Sequence, residues 1–270
     1  MGIMDPVVDF GIAQSAKAEP NAKIHYGMEG IMRCSRYSFG PNRLHYCGPD
    51  ANRELQELIE KDGDKFGLSH ILKQFKTLFP YLKYIAEINK IKDPFDSRVV
   101  EAYWLGNELL EKVEQRTLFN FLVGDLRVKD KLKTKEFNWL EEKIKKGAVP
   151  HHSFHVLNIW DQMGHSDHLE NLKRMDECRI SSGIVKEING PEIKVLTEPL
   201  VYENGKFALS LVISKTLIRQ LEAEYDIEQI KIGEIVSIHW SVPCEVITKK
   251  QAETLRKYTL KNIGFANLNI

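Results

Sequence analysis

The chain is 270 residues long, with 43% hydrophobic and 28% charged residues, a composition typical of a globular protein with one large domain or two ordinary ones. Lysine plus arginine balance aspartate plus glutamate at 38 each, so the sequence lacks the basic excess expected of a nucleic-acid-binding protein. No apolar run approaches the roughly 18 residues of a membrane span.

The first 30 residues show little periodicity and are predicted to form an irregular N-terminal arm. They lack the basic and long apolar regions of a signal peptide, so a cytoplasmic location is predicted. The cysteines form no CxxC pair, which in a cytoplasmic chain favours free thiols or metal ligands over a disulfide framework. The simpler alternative for each is a small buried hydrophobic residue. They are Cys34, Cys47, Cys178 and Cys244.

Residues 31 to 50 are rich in glycine, proline, asparagine and aromatic residues, and this composition predicts a structured loop. The stretch "GPNRLHYCGPD" offers Arg43 and His45 as ligand-binding residues, because a guanidinium can clamp an anion. Cys47 in the same stretch is a candidate metal ligand. The alternative is a loop held in place by glycine, proline and aromatic packing alone.

From residue 51 to about 147 apolar residues recur at helical spacing, so a series of amphipathic helices is predicted. Asp96 or Ser97 is the expected N-cap of one helix, and Thr134 is the expected N-cap of the last. We therefore expect a mostly helical domain from residue 31 to 170.

Five of the nine histidines follow in one short segment. His151 and His155 are four residues apart, the spacing of a two-histidine metal site on a helix, whereas His152 is predicted to point elsewhere. Imidazole suits zinc, iron and nickel, and a thiolate from Cys47 or Cys34 would complete such a site. The alternative is a polar helix start with two buried, hydrogen-bonded histidines.

From about residue 176 to 248 short β patterns are separated by Asn-Gly or glycine turns, and a polar helix follows. Asn189-Gly190 between β-branched residues predicts a hairpin. Because the hydrophobic period changes from about 3.6 to about 2 near Cys178, we predict an α+β protein of two units, the second spanning residues 171 to 270.

Two segments of this strand-rich region, "CRISSGIVKEING" and "IKIGEIVSIHWSVPCEVITKKQAETL", resemble the HypC/HupF-type chaperones of nickel–iron hydrogenase maturation. Cys178 stands at the position of that family's cysteine, Gly233 at its late turn and His239 at its histidine. The chaperone cysteine lies at the mature N-terminus, whereas Cys178 lies within the chain. Any role of a free amino group is therefore lost here.

The resemblance implies a small OB-like β-barrel with a C-terminal helix. It also implies that Cys178 and His239 meet at one end of the barrel and hold an iron centre with cyanide and carbonyl ligands. The expected function is that of an accessory or assembly protein, a metallocluster chaperone rather than an enzyme. Its expected partner is the hydrogenase large subunit or another maturation factor.

Two alternatives stay open. One is a metal-dependent enzyme whose site is built from His151, His155 and a cysteine-bearing loop, and the other is a structural subunit of a larger complex. The sequence has no GxGxxG motif, P-loop or GxSxG motif, which argues against the commonest nucleotide-binding and hydrolase signatures. The N-terminal half resembles an uncharacterised prokaryotic family through "RYSFGPNRLHYCGPD", "VVEAYWLGN" and "PHHSFHVLN", which implies no chemistry.

Overall fold

A computed structural model describes residues 30–61, 64–160, 168–220 and 230–269. All of the predicted N-terminal arm except its last residue, Gly30, lies outside these ranges. Within them the protein is α+β, as the sequence predicts: helices dominate the N-terminal half, and an antiparallel sheet and a C-terminal helix follow.

Ten α-helices occur in the described residues, and a π-helical turn at Val156–Trp160 extends the eighth. They are α1 Gly30–Arg43, α2 Asn52–Glu60, α3 Lys65–Leu72, α4 Leu78–Ile88, α5 Ser97–Trp104, α6 Gln115–Gly124, α7 Thr134–Lys145, α8 His152–His155, α9 His168–Cys178 and α10 Lys249–Ala266. None of the described helices has the length and apolar character needed to cross a bilayer.

Seven strands follow α9 in the described part of the chain. They are β1 Ser181–Asn189, β2 Glu192–Thr197, β3 Leu200–Glu203, β4 Lys206–Leu209, β5 Ile213–Ile218, β6 Ile235–His239 and β7 Val242–Ile247. The predicted hairpin is confirmed as β1–β2, whose turn contains Gly190 at a positive φ of 58°.

The strands of the predicted OB-like barrel do not close into a barrel. Five strands form one open antiparallel sheet in the order β5-β2-β1-β6-β7, and β3–β4 is a separate hairpin. In the described residues the edge strands β5 and β7 do not pair along their length. They approach each other at one corner, where the Ile218 N–H donates to the Ser241 carbonyl at 3.3 Å.

Helix α1 overturns the prediction of a loop at residues 31 to 50. It is buried on almost every side and packs against α2, α3, α5 and β7. Gly40 is required because a Cβ there would lie 2.8 Å from the His239 carbonyl oxygen, so the helix approaches β6 closely. Pro41 falls in the last turn of the helix. Tertiary packing has therefore overridden a composition that favours a loop.

One face of the sheet packs onto the helices. Val242, Cys244 and Ile247 of β7 belong to the same hydrophobic core as the buried residues of α1 to α7. A separate cluster that includes Val185 and Val195 fills the other face. The helical half and the sheet thus share a core, and the predicted domain boundary near residue 170 adjoins the undescribed residues 161–167.

Capping explains where several helices begin. Asp96 accepts a hydrogen bond from the Arg98 backbone N–H, which confirms it as the N-cap of α5. Thr248 caps α10 in a capping box with Gln251. Thr134 is instead the first residue of α7, and Lys133 occupies the N-cap position without a side-chain hydrogen bond.

Candidate metal centre

Three potential metal ligands meet where the helices contact the sheet. His152 begins α8, Cys178 ends α9 and His239 ends β6, and their ligand atoms all lie within 4.8 Å of one another. We call this group the His–Cys–His cluster. The Cys178 Sγ lies 3.9 Å from the His152 Nε2. Because ligand atoms around a tetrahedral zinc ion are about 3.3–3.6 Å apart, a contraction of at most about 1.5 Å would form a coordination site.

The His239 imidazole has one nitrogen available for a metal. Its Nδ1 lies 2.6 Å from the Tyr37 carbonyl oxygen, and since a carbonyl only accepts, Nδ1 must carry the proton. The Nε2 therefore has a free lone pair, and it is buried with no hydrogen-bond partner among the described residues. A backbone carbonyl that fixes the ring in this way is the usual outer partner of a metal-binding histidine.

The primary structure of α1 explains why the Tyr37 carbonyl is available to His239. In an α-helix this oxygen would accept a hydrogen bond from the backbone N–H four residues later, but residue 41 is proline and has no N–H. Pro41 thus frees the acceptor that orients His239.

His152 is held through both ring nitrogens. Its Nε2 lies 2.8 Å from the Cys178 carbonyl oxygen and its Nδ1 lies 3.0 Å from the Tyr103 hydroxyl. The carbonyl requires the proton on Nε2, so the Tyr103 hydroxyl donates to Nδ1. Binding a metal through Nε2 would need the other tautomer, with Nδ1 donating to the same hydroxyl, which can also accept.

Burial sets the protonation states of the cluster. It lowers the pKa of His239 to about 4 and that of His152 well below its ordinary value, so both rings are neutral near pH 7. Burial also raises the pKa of the Cys178 thiol to about 12. Neutral imidazoles are ready to ligate, whereas the thiol must release its proton to solvent or buffer when a metal ion binds.

Aromatic side chains enclose the cluster on the helical side. The Trp104 ring lies 4.5 Å from the His152 ring and 5.4 Å from the His239 ring, between centroids, and Tyr37 stacks on Trp104 at 5.2 Å. These rings keep water away and lower the local dielectric, which strengthens any bond to a bound cation. Trp104 belongs to the stretch "VVEAYWLGN", for which the sequence predicted no chemical role.

Glu177 ties the segments that carry Cys178 and His239 to each other. Its carbonyl accepts the Trp240 N–H at 2.8 Å, and its carboxylate accepts from the Ser241 hydroxyl at 2.8 Å. Trp240 and Ser241 have φ of 53° and 58°, a turn geometry that normally requires Asn-Gly. Glu177 therefore stabilises an unfavourable turn next to His239.

His151 and His155 have separate partners and do not belong to the cluster. His151 is the N-cap of α8: its Nδ1 accepts from the Ser153 backbone N–H at 3.1 Å, and its ring stacks on Tyr258. His155 lies 3.3 Å from the Tyr81 hydroxyl. The two rings therefore do not share a site, and the third cluster member, His152, was the histidine predicted to point elsewhere.

The candidates of the "GPNRLHYC" stretch differ in exposure. His45 is exposed and lies 3.5 Å from the Asp50 carboxylate. Arg43, the last residue of α1, has a buried Nε without a hydrogen-bond partner in the described part of the chain. Cys47 is half-buried, and burial raises the pKa of its thiol to about 11. None of these three residues belongs to the His–Cys–His cluster.

Comparison with known proteins gives a family and no characterised relative. The sequence profile described as "Family of unknown function (DUF6390)" matches residues 27–270, which include all three members of the cluster. No curated protein matches the chain, and no solved structure matches it.

Proposed function

Since the chain belongs to this family of unknown function, we propose its function from the cluster itself. The protein binds one transition-metal ion through His152, Cys178 and His239, and acts as an accessory protein in the assembly of a metal centre. The observation that carries this proposal is the convergence of three potential ligand atoms within 4.8 Å of one another, one of them the buried Nε2 of His239, which has no hydrogen bond of good geometry in the described residues. A neutral imidazole nitrogen left without a partner costs free energy unless a ligand uses it.

The donor set indicates the class of metal. Two imidazole nitrogens and one thiolate suit zinc, copper or iron, whereas magnesium and calcium prefer oxygen ligands. Three protein ligands leave at least one coordination position open. An open position lets a cargo ion keep ligands of its own and pass to a second protein.

Two observations favour a carrier over an enzyme. The cluster contains no carboxylate that could act as a general base beside a bound metal. Cys178 and His239 also stand at the cysteine and histidine positions of the hydrogenase chaperones that the sequence resembles. On that basis we propose iron with cyanide and carbonyl ligands as the cargo, and the hydrogenase large subunit or a maturation factor as the partner.

The described cysteines are all free thiols, which fits the reducing cytoplasm proposed for the protein. The enzyme alternative built on His151 and His155 has less support, because those rings have separate partners.

Metal analysis of protein purified anaerobically, combined with infrared spectroscopy, tests the proposal. We expect about one metal ion per chain, with cyanide and carbonyl bands, and loss of both in Cys178→Ser. Cys244→Ser is the matched control, because Cys244 is buried outside the cluster. Metal without the infrared bands would contradict the iron cargo but not the site. Equal metal content in the wild type and Cys178→Ser would contradict the site.

A further inference from the structure

Three stacked side chains, those of Arg174, Tyr46 and Trp240, lie next to the segments that carry Cys178 and His239. Resting on the proposed function, we infer that the Tyr46 ring is a gate for the His–Cys–His cluster. A metal ion enters and leaves when this ring swings away from Trp240. The ring therefore sets the rate of metal exchange without being a ligand, and the open coordination position stays open.

The stack joins three separate parts of the chain. The Tyr46 ring stacks on the Trp240 ring with centroids 4.3 Å apart and an angle of 16° between the planes. The guanidinium carbon of Arg174 lies 5.6 Å from the centroid of the Tyr46 ring, within the roughly 6 Å of a cation–π contact. Helix α9, the loop after α1 and the turn between β6 and β7 thus meet at one tyrosine ring.

Both ends of the stack are attached to members of the cluster. Trp240 directly follows His239, and its backbone N–H donates to the Glu177 carbonyl at 2.8 Å. Arg174 lies four residues before Cys178 within α9, so the two side chains share one face of that helix. The ring that contacts both ends therefore bridges the segments that bear the sulfur and one imidazole.

Exposure to solvent rises outward from the cluster along this stack. His152 and His239 are buried, and aromatic side chains enclose both rings on the helical side. Cys178 is partly exposed, so the route from the cluster to solvent runs on its side. Trp240 is half-buried, whereas Tyr46 is 51% exposed. The Tyr46 ring is therefore the outermost aromatic group on this route.

The backbone that carries the Tyr46 ring is fixed. Its N–H donates to the Pro41 carbonyl at 2.9 Å. The Asn42 Nδ2 donates to the carbonyls of Cys47 and Pro49 at 3.0 and 2.7 Å. Opening therefore needs only a rotation of the tyrosine side chain, and a half-exposed ring can turn into solvent while the loop keeps its hydrogen bonds.

The contacts of the ring are weak enough to open. One aromatic pair and one exposed cation–π contact favour the closed position by about tenfold, or about 1.4 kcal/mol. Side-chain rotation takes nanoseconds, faster than a metal ion arrives at micromolar concentration, so only the open tenth of the molecules exchanges metal at any moment. Association and dissociation are then slowed by the same factor, and Kd does not change.

Stopped-flow mixing of cobalt(II) with the metal-free full chain under anaerobic conditions tests the inference. The visible absorbance of bound cobalt gives the association rate. Excess EDTA, extrapolated to zero chelator, gives the dissociation rate. We expect both rates to rise about tenfold in Tyr46→Ala, with Kd changed by less than about twofold. Tyr46→Phe keeps the ring, so this matched control should keep the wild-type rates. Thermal unfolding of each metal-free variant checks that it folds.

The outcomes separate the inference from the proposed function. Unchanged rates in folded Tyr46→Ala, or a rise in the dissociation rate alone with a matching loss of affinity, would overturn the gate and leave the His–Cys–His site intact. Equal acceleration in Tyr46→Phe and Tyr46→Ala would also overturn it, because the ring would not be the barrier. A wild-type protein that binds no cobalt, or a Cys178→Ser variant with wild-type affinity, would overturn the proposed function and this inference with it.

Discussion

His151 and His155 differ from their neighbour His152 in the groups that their side chains contact, although all three lie within five residues of the chain. The Nδ1 of His151 caps helix α8 and His155 lies against Tyr81, whereas His152 reaches across to Cys178. The rule that residues four apart share a helix face requires both to be inside the helix. Here the helix begins after His151. A histidine pair at the right spacing is therefore no metal site when one member caps the helix.

Substituting the histidines of the cluster should have the largest effect on metal affinity. We expect His152→Gln and His239→Gln to weaken zinc or cobalt binding by at least about 100-fold, or about 2.7 kcal/mol, because each removes one of three protein ligands. His155→Gln is the matched control, one helical turn from His152, and should change the affinity by less than about threefold. Chelator-competition titrations measure all three. Comparable losses in His155→Gln and His239→Gln would remove the distinction between the two groups of histidines.

Lowering the pH should destabilise the folded protein equally through His239, a member of the cluster, and through His155, which lies outside it. Burial lowers the pKa of His239 to about 4 and that of His155 to about 4, so the unfolded chain binds protons at a higher pH than the folded chain does. The two buried histidines therefore make their full contribution to the free energy of unfolding above about pH 6.5, and this contribution falls as the pH approaches 4. Each histidine contributes a loss of about 1.5 kcal/mol between about pH 6.5 and 5.

Chemical denaturation of the metal-free protein at several pH values measures this loss. Both His239→Gln and His155→Gln should flatten the pH dependence, although only the first should weaken metal binding. An unchanged pH dependence in His239→Gln would mean that the ring is not held neutral by burial.

A smaller effect is expected at Glu177, which touches no ligand atom of the cluster but fixes the turn after His239. Glu177→Gln should weaken metal affinity by about tenfold, since a residue that orients a ligand typically contributes 10- to 100-fold, and about 1.4 kcal/mol corresponds to tenfold. Glu198→Gln, which alters a carboxylate paired with Arg256 at the surface, is the control. A Glu177→Gln variant with unchanged affinity would show that the turn holds its geometry without the carboxylate.

Local patterns in the sequence predicted much of the fold. Helix α5 with its Asp96 cap, the β1–β2 hairpin and the capped helix α10 follow from period, cap and turn chemistry within a few residues. Strand β1 pairs with β6, the strand that ends at His239. This pairing, together with the position of Cys178 before β1, brings Cys178 and His239 together as the resemblance implied.

Features that depend on distant contacts were missed. Helix α1 contains Gly40 and Pro41, which read as loop residues, yet Gly40 allows close approach to β6 and Pro41 frees the Tyr37 carbonyl for His239. His152 was passed over for the same reason. Its role depends on Cys178, 26 residues later, and on Tyr103, 49 residues earlier. No local pattern in the sequence encodes contacts over those separations. The prediction of a barrel failed for the same reason, because the pairing of two edge strands also depends on contacts between distant residues.

The central claim is that one metal ion sits among His152, Cys178 and His239, and anomalous diffraction from crystals of the zinc- or cobalt-loaded protein tests it most directly. We predict one anomalous peak about 2.0–2.1 Å from a nitrogen of each histidine and about 2.3 Å from the Cys178 sulfur. A peak at His151 and His155, a peak at His45 and Asp50, or no peak within bonding distance of His239 Nε2 would contradict it.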